Sequence, residues 1–261
     1  MRLVTWNVNS LKARLPRVLE LLHEHAPDVV CLQETKVAAA TFPHETFAAV
    51  GYRAVDRSAG RWNGVALLVR QGLPVADVRP ELPGEPDPEE ARWLEADVDG
   101  IRVASLYVPN GREPGHPMFA VKLRFLEAVR DRAAELAAAG PTVVAGDVNV
   151  APEDRDVWDP AVFVGSTHVT PEERHGLAEV VAGGLRDAYR DVEPDAAGFT
   201  WWDYRMGAFR RGMGMRIDLA LVSEHLAVRG ARVDTTFRRV NQAGDKPSDH
   251  APILVELERR G

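Results

Sequence analysis

Acids and amides stand at the ends of four short apolar runs, and their types suit hydrolysis of a phosphate ester. Thr142-Val143-Val144-Ala145 leads through Gly146 into Asp147 and Asn149. Pro27-Asp28-Val29-Val30-Cys31-Leu32 leads into Gln33-Glu34-Thr35-Lys36. Asp218 opens the run Leu219 to Val222, and Ser248-Asp249-His250 precedes Pro252 to Leu257. The β-branched residues make these runs strand-like, and strand ends gather polar groups at a rim without burying them unpaired. Two runs lead into their acids and two lead away, so an antiparallel arrangement brings all four to one edge. Such an edge fits a divalent-metal site for cleaving phosphate esters.

Each group has a chemical reading and a plainer one. Glu34, with Asn7 and Asn9 at another strand end, offers hard oxygen ligands; alone it is a solvated strand-end acid. Asp147 and Asn149 are two apart and share a face of an extended chain, where Asp takes a proton from water and Asn donates to phosphate. The plainer reading is a turn, which Gly-Asp and Asn favour. Adjacent strand residues point oppositely, so Asp218 rather than Asp249 is the expected partner of His250. That leaves the imidazole to donate to a phosphate oxygen and Asp249 to hold metal. Tyr107 is a packed strand aromatic or a hydroxyl at the rim, followed by Asn110 and Arg112 on phosphates. Trp201, Trp202, Tyr204 and Met215, interleaved with Arg205 and Arg216, suit core packing or a platform for a base or deoxyribose. His168 stands in a polar loop, in solvent or facing a cleft.

The elements that must hold these groups follow from periodicity. Leu3 to Val8 reads as a strand, and Leu11, Leu15, Val18, Leu19 and Leu22 keep helical spacing until Pro27. Val29 to Leu32 is a fully buried strand, and Gly64 to Val69, Ile101 to Val108 and Ile217 to Val222 read as others. Phe119 to Ala139 is the longest helical pattern, ended by Gly140-Pro141, and Pro171 to Val181 is a second helix. Pro80 to Pro88, with its prolines and acids, reads as a solvated loop; Pro152 to Thr170 reads as a substrate-facing one. Short strand-to-strand spacings argue against a doubly wound parallel sheet and for two packed sheets covered by helices.

Composition sets bounds. The 261 residues, 45% hydrophobic, are ample for a core, and no linker or repeat divides them, so one domain over residues 1–261 is expected. A net charge of −7 gives no overall basic field, but DNA binding needs only a local basic face. Arg205, Arg210, Arg211 and Arg216 are the candidates for it. The single cysteine, Cys31, lies in an apolar run and reads as a reduced core residue. The chain starts a strand at once, and no apolar run approaches the roughly 20 residues that span a bilayer. A cytoplasmic, bacterial-type protein is expected, without a membrane partner.

Taken together, Trp6-Asn7-Val8-Asn9, Leu32-Gln33-Glu34-Thr35-Lys36, Tyr107-Val108-Pro109-Asn110-Gly111, Gly146-Asp147-Val148-Asn149, Phe199 to Arg205, Arg216-Ile217-Asp218 and Ser248 to Pro252 resemble the exonuclease III family of AP endonucleases. The resemblance runs in order through residues 1–258. It implies an α/β fold, a four-layer sandwich of two packed, mostly antiparallel sheets flanked by helices (DNase I-like). It further implies a monomeric, Mg²⁺- or Mn²⁺-dependent phosphodiesterase of base excision repair. Such enzymes act on double-stranded DNA, cutting 5′ to abasic sites and stripping blocked 3′ ends, and many are 3′-to-5′ exonucleases.

By the same resemblance Glu34 is the main metal ligand, within a set that spans Asn7, Asn9, Asp147, Asn149, Asp249 and His250. Asp147 activates water, Asn149 stabilises the pentacovalent state, and His250, oriented by Asp218, binds phosphate. Tyr107 matches the family's active-site tyrosine. Trp201, Met215 and Ile217 match a pocket for a flipped-out abasic sugar, which is the nucleotide cheapest to extrude. His168 departs from the pattern, since many of these endonucleases carry a small residue there. An imidazole facing the cleft would narrow access for internal abasic sites and favour 3′-end trimming.

Competing readings remain. Inositol-phosphate phosphatases and sphingomyelinases are similar in fold, although the Trp201 to Arg205 stretch favours DNA repair. A non-catalytic lesion binder would need a broken metal site, and Glu34, Asp147, Asn149, Asp218, Asp249 and His250 are all present.

Overall fold

The computed structural model describes residues 1–260; Gly261, the last residue of the expected domain, lies outside them. In chain order the elements are β1 (Arg2–Asn7), α1 (Leu11–His25), β2 (Val29–Gln33), α2 (His44–Ala49), β3 (Tyr52–Arg57) and β4 (Val65–Arg70). There follow β5 (Val75–Arg79), β6 (Trp93–Val98), β7 (Ile101–Tyr107), α3 (Pro117–Ala139), β8 (Thr142–Asp147) and α4 (Pro171–Ala182). The chain ends with β9 (Leu185–Asp187), α5 (Ala188–Val192), β10 (Asp218–Ser223), β11 (Leu226–Val233) and β12 (Ile253–Arg259).

The strands form two six-stranded sheets, in the orders β11-β12-β1-β2-β4-β3 and β5-β6-β7-β8-β10-β9. Among the described residues each sheet has one parallel pair, β1–β2 or β7–β8, amid antiparallel neighbours. Taken from β9 to β5, the second sheet repeats the first from β11 to β3 in pairing sense. This repeat of architecture leaves no trace as a repeat of sequence.

Side chains alternate across each strand, and both faces are covered, which is why these runs are continuously apolar. Leu3, Val29 and Cys31 face the other sheet's Val103, Val143 and Ala145 in a shared core. Their neighbours Val4, Val30 and Leu32 face outward, beneath Leu11, Val18 and Leu22 of α1 and Phe47 of α2. On the far side Ala104, Leu106 and Val144 lie under Phe125, Leu126 and Val129 of α3 and Leu177 and Val180 of α4. The layers are therefore helix, sheet, sheet, helix. Burial of Cys31 raises its thiol pKa and leaves it inert.

The strands expected from the sequence are present, the helix expected from Phe119 begins at Pro117, and the His116 ring accepts from Met118 N at 3.1 Å. One expectation fails: the Pro80–Pro88 segment is not wholly solvated. Leu82 is buried, and the buried Glu85 carboxylate accepts from Arg57 at 3.0 Å and from Leu82 N at 3.2 Å. No helix among the described residues is long and apolar enough to cross a membrane.

Register places the polar strand ends together. Asp147 is the cross-strand partner of both Tyr107 and Asp218, and Asn7 is that of Gln33, the residue before Glu34. Gly146 permits the close approach of β7, since a Cβ there would lie 1.9 Å from Leu106 O.

Candidate active site

One amide joins the two sheets at their shared rim. Asn7 Nδ2 donates to Glu34 Oε1 and to Asp147 Oδ2, both at 2.8 Å. Glu34, Asp147 and His250 each bring a potential ligand atom within 4.8 Å of the others, a cluster able to hold a metal ion. His250 Nδ1 lies 2.8 Å from Asp218 Oδ2, while its Nε2 faces Asp147 Oδ2 at 3.8 Å. Trp6 Nε1 donates to His250 O at 3.0 Å, and Ser248 Oγ to Asn7 O at 2.8 Å, which fastens the segment before β12 to the end of β1.

The backbone at the rim is held in an uncommon conformation. Asn9, Glu34, Lys36, Asn149 and His168 have φ of 44°, 50°, 52°, 52° and 78°. Non-glycine residues seldom adopt this left-handed region, and it concentrates at functional sites. Local bonds sustain it: Ser10 N donates to Glu34 O at 2.8 Å and Asn149 N to Asp147 Oδ1 at 2.9 Å. Asn149 Nδ2 donates to Val108 O at 2.9 Å, so the residue is held by both its backbone N–H and its side-chain amide.

Burial and charge tune the acids and the ring. Burial first, then the Asp218 and Glu34 carboxylates, push Asp147 up to about 8, against the opposing pull of His250. For His250 burial opposes the charged ring, but the Asp218 contact outweighs it and raises the pKa to about 10. Tyr107 is buried at the end of β7; burial, then Glu34 and Asp147, raise its phenol well above the usual value. Asp249 is nearly buried, yet His250, Asn9 and Trp201 hold its carboxyl below the ordinary range.

The other expected site residues lie beside this cluster, in an apolar patch near it, or away from it. Asp249 stands beside the cluster, accepting from Asn9 Nδ2 at 3.0 Å and from Trp201 Nε1 at 3.1 Å. Asn110 Nδ2 lies 3.4 Å from both Asn149 Oδ1 and His168 Nε2. Met215 and Ile217 are buried with Val157 and Ala151, and the half-buried Trp201 caps that apolar cluster. Arg112 and Arg205 are exposed, and Arg205 is tied back to its neighbour Asp203. Arg216 corrects its expected place among local cations. It is buried and bonded to Asp156 at 2.7 Å and Asp187 at 2.5 Å, so it belongs to the interior.

Two lysines were not singled out in the sequence. Lys36, inside the Glu34 motif, lies 2.6 Å from Glu34 Oε2 and donates to Asn9 Oδ1 at 2.7 Å. Lys122 is fully buried behind Asn149. Its signal was available: it shares helical spacing with Phe125, Leu126 and Val129, so a cation lies on the apolar stripe of α3.

Two packed sheets with acids, amides and an imidazole at one rim define a DNase I-like hydrolase. The chain belongs to the Endonuclease/Exonuclease/phosphatase family, whose sequence pattern matches residues 4–250. Exodeoxyribonuclease III of Haemophilus influenzae is 32% identical over 280 residues, covering 99% of this chain and 100% of that protein. The structure of a 3′ phosphatase, NExo, from Neisseria bound to product DNA hairpin superposes with a TM-score of 0.94. It is 36% identical and covers 99% of each chain. An AP endonuclease from Archaeoglobus fulgidus superposes with a TM-score of 0.91 at 32% identity, again over 99% of both chains.

Proposed function

We propose that this chain is a divalent-metal-dependent DNA-repair phosphodiesterase that incises 5′ to abasic sites, removes 3′-blocking groups and degrades 3′ ends. The observation that carries the reading is the meeting of Glu34, Asp147 and His250 within 4.8 Å, with Asp218 behind the imidazole. The relatives named above, matched over almost their whole lengths, supply the DNA substrate.

The donors fit a hard cation. Glu34 and Asp147 present carboxylate oxygens to one point through the shared Asn7 amide, and the only thiol, Cys31, lies in the core. Mg²⁺ or Mn²⁺ is the proposed ion, held by Glu34 with Asp147 and Asn7 beside it. When bound it would offset the negative charge that otherwise repels an attacking hydroxide.

Around that point the protein's own groups divide the work. Asp147 accepts a proton from the attacking water, whose oxygen bonds to phosphorus as the P–O3′ bond breaks, and O3′ leaves as the 3′-hydroxyl after taking a proton from solvent. His250, charged because Asp218 holds it so, donates from Nε2 to a phosphate oxygen. Asn149 donates to the charge that develops there. Asp249, fixed by Asn9 and Trp201, orients the amide rim.

His168 favours the 3′-end activities within this set. It is half-buried, its Nδ1 lies 2.6 Å from Asn149 O, and its Nε2 faces Asn110. That places the ring against two amides of the site, where it crowds an internal abasic nucleotide more than a strand terminus. The two sheets share one core, and we read residues 1–260 as a single domain acting as a monomer in the cytoplasm. Sedimentation and cell fractionation test those last two points.

One gel tests the function, comparing an internal abasic duplex, a 3′-phosphate nick and an intact recessed end with and without Mg²⁺. Metal-dependent cleavage is expected on all, fastest at the 3′-phosphate. Absence of cleavage on every DNA, with turnover of inositol phosphates or sphingomyelin, would replace the reading.

A further inference from the structure

We infer that Lys122 is a positioning residue for catalysis, acting through the backbone of Asn149 and Asn110; this rests on the nuclease reading above. Its ammonium donates to Asn149 O at 2.6 Å, Asn110 O at 3.2 Å and Thr167 Oγ1 at 3.2 Å, and it pairs with Glu173. Both side chains of the pair are 0% exposed. These contacts tie together three segments distant in sequence: the loop after β8, the loop after β7 and the segment that carries His168.

Glu173 completes the brace from the other side. Its Oε1 accepts from Thr167 Oγ1 at 2.7 Å and His168 N at 3.0 Å, and its Oε2 from Thr170 N and Oγ1 at 3.1 and 2.7 Å. Glu173 is also the third residue of α4, where it forms a capping box with Thr170. The brace is thus anchored to α3 and α4, which pack on each other and on the second sheet. A loop amide held by such a frame needs no reorganisation when charge develops on the phosphate.

Gly111 makes room for it. A Cβ there would lie 2.8 Å from Lys122 Cδ, and the residue follows Asn110 with φ of 83°. The lysine stem therefore passes directly beneath the loop whose carbonyl its head group holds. Asn149 itself keeps a left-handed φ of 52°, and its carbonyl receives both Lys122 and His168 Nδ1. Removing the ammonium leaves that carbonyl to His168 alone and unties it from Asn110 and Glu173, so the peptide can relax and turn the Asn149 side chain away from the rim.

The test uses the full chain with the charge-balanced double variant Lys122→Met/Glu173→Gln, which leaves no stranded carboxylate. Turnover of a 3′-phosphate duplex with saturating Mg²⁺ should fall about a hundredfold in kcat, the usual cost of a small misplacement, with KM little changed. In an Asn149→Ala background the same pair of substitutions should lower kcat less than about threefold, because the side chain held by its shortest backbone tie is gone and only the longer tie to Asn110 remains. A purely structural role would give equal losses in both backgrounds, and that result, or wild-type kcat in the folded double variant, overturns the inference. If the double variant does not fold, Thr167→Val removes one tie with the ion pair intact. A smaller loss of kcat that also vanishes in the Asn149→Ala background supports the inference, and an undiminished one refutes it. Absence of nuclease activity in the unmodified chain would instead refute the underlying reading.

Discussion

Asp147 and Asp218 are direct cross-strand partners, and the His250 ring contacts both, Nδ1 at 2.8 Å from Asp218 and Nε2 at 3.8 Å from Asp147. In the proposed reaction the two acids have separate tasks although they are neighbours in one sheet. Asp218 keeps one oxygen on the ring, which fixes its tautomer and charge. Asp147, shared with Asn7, faces Glu34 and the space where water would be activated. Like charges this close repel, which is part of why the Asp147 pKa rises to about 8.

Chelation with EDTA should abolish turnover while leaving the fold intact. Glu34→Gln keeps the shape but removes the charge at the point both carboxylates share. The Mg²⁺ concentration for half-maximal rate should then rise at least about tenfold, since even outer partners of metal sites cost that much. A Mg²⁺ titration of initial rates checks this, and an unchanged midpoint would place the ion elsewhere.

His168→Gly should raise internal abasic incision relative to 3′-phosphatase activity, and its φ of 78° already suits glycine. The same variant has a pH signature. Burial first, then the Lys122 charge, lower the His168 pKa to about 4. The unfolded chain takes up that proton near pH 6.5, so folded stability is lost as pH falls from about 6.5 towards about 4. Denaturant midpoints at pH 7.5 and 4.5 should differ less in His168→Gly than in the parent. An equal difference would show that the ring stays solvated.

Arg216→Met should destabilise by roughly 3–5 kcal/mol, because it leaves the buried Asp156 without one of its cations. The salt dependence of DNA binding should not change, since this guanidinium reaches no surface. Arg210 and Arg211 are exposed, and their removal should lower that slope instead. Urea midpoints and binding across a salt series separate the two effects.

What was readable in the sequence follows from the physics of each element. Central strands β1, β2, β8 and β10 are covered on both faces, so their β-branched runs announce themselves, and their polar ends mark the rim. Edge strands do not. β5 is largely exposed, β9 has three residues and β11 carries a bulge near Gly230, so none shows a full pattern. The Lys122–Glu173 brace joins residues 51 apart, and only tertiary packing reveals it. Arg216 misled because charge in a sequence says nothing of burial. Its partners are Asp156, from the segment before α4, and Asp187, the last residue of β9.

Turnover and DNA affinity of Asp147→Asn test the central claim most directly. The substitution preserves shape and the Asn7 contact but removes the proton acceptor. Cleavage of a 3′-phosphate duplex with Mg²⁺ should fall by several orders of magnitude, with affinity for the same DNA and the unfolding midpoint close to the parent's. Retained turnover, or lost affinity with normal turnover per bound complex, would contradict the account.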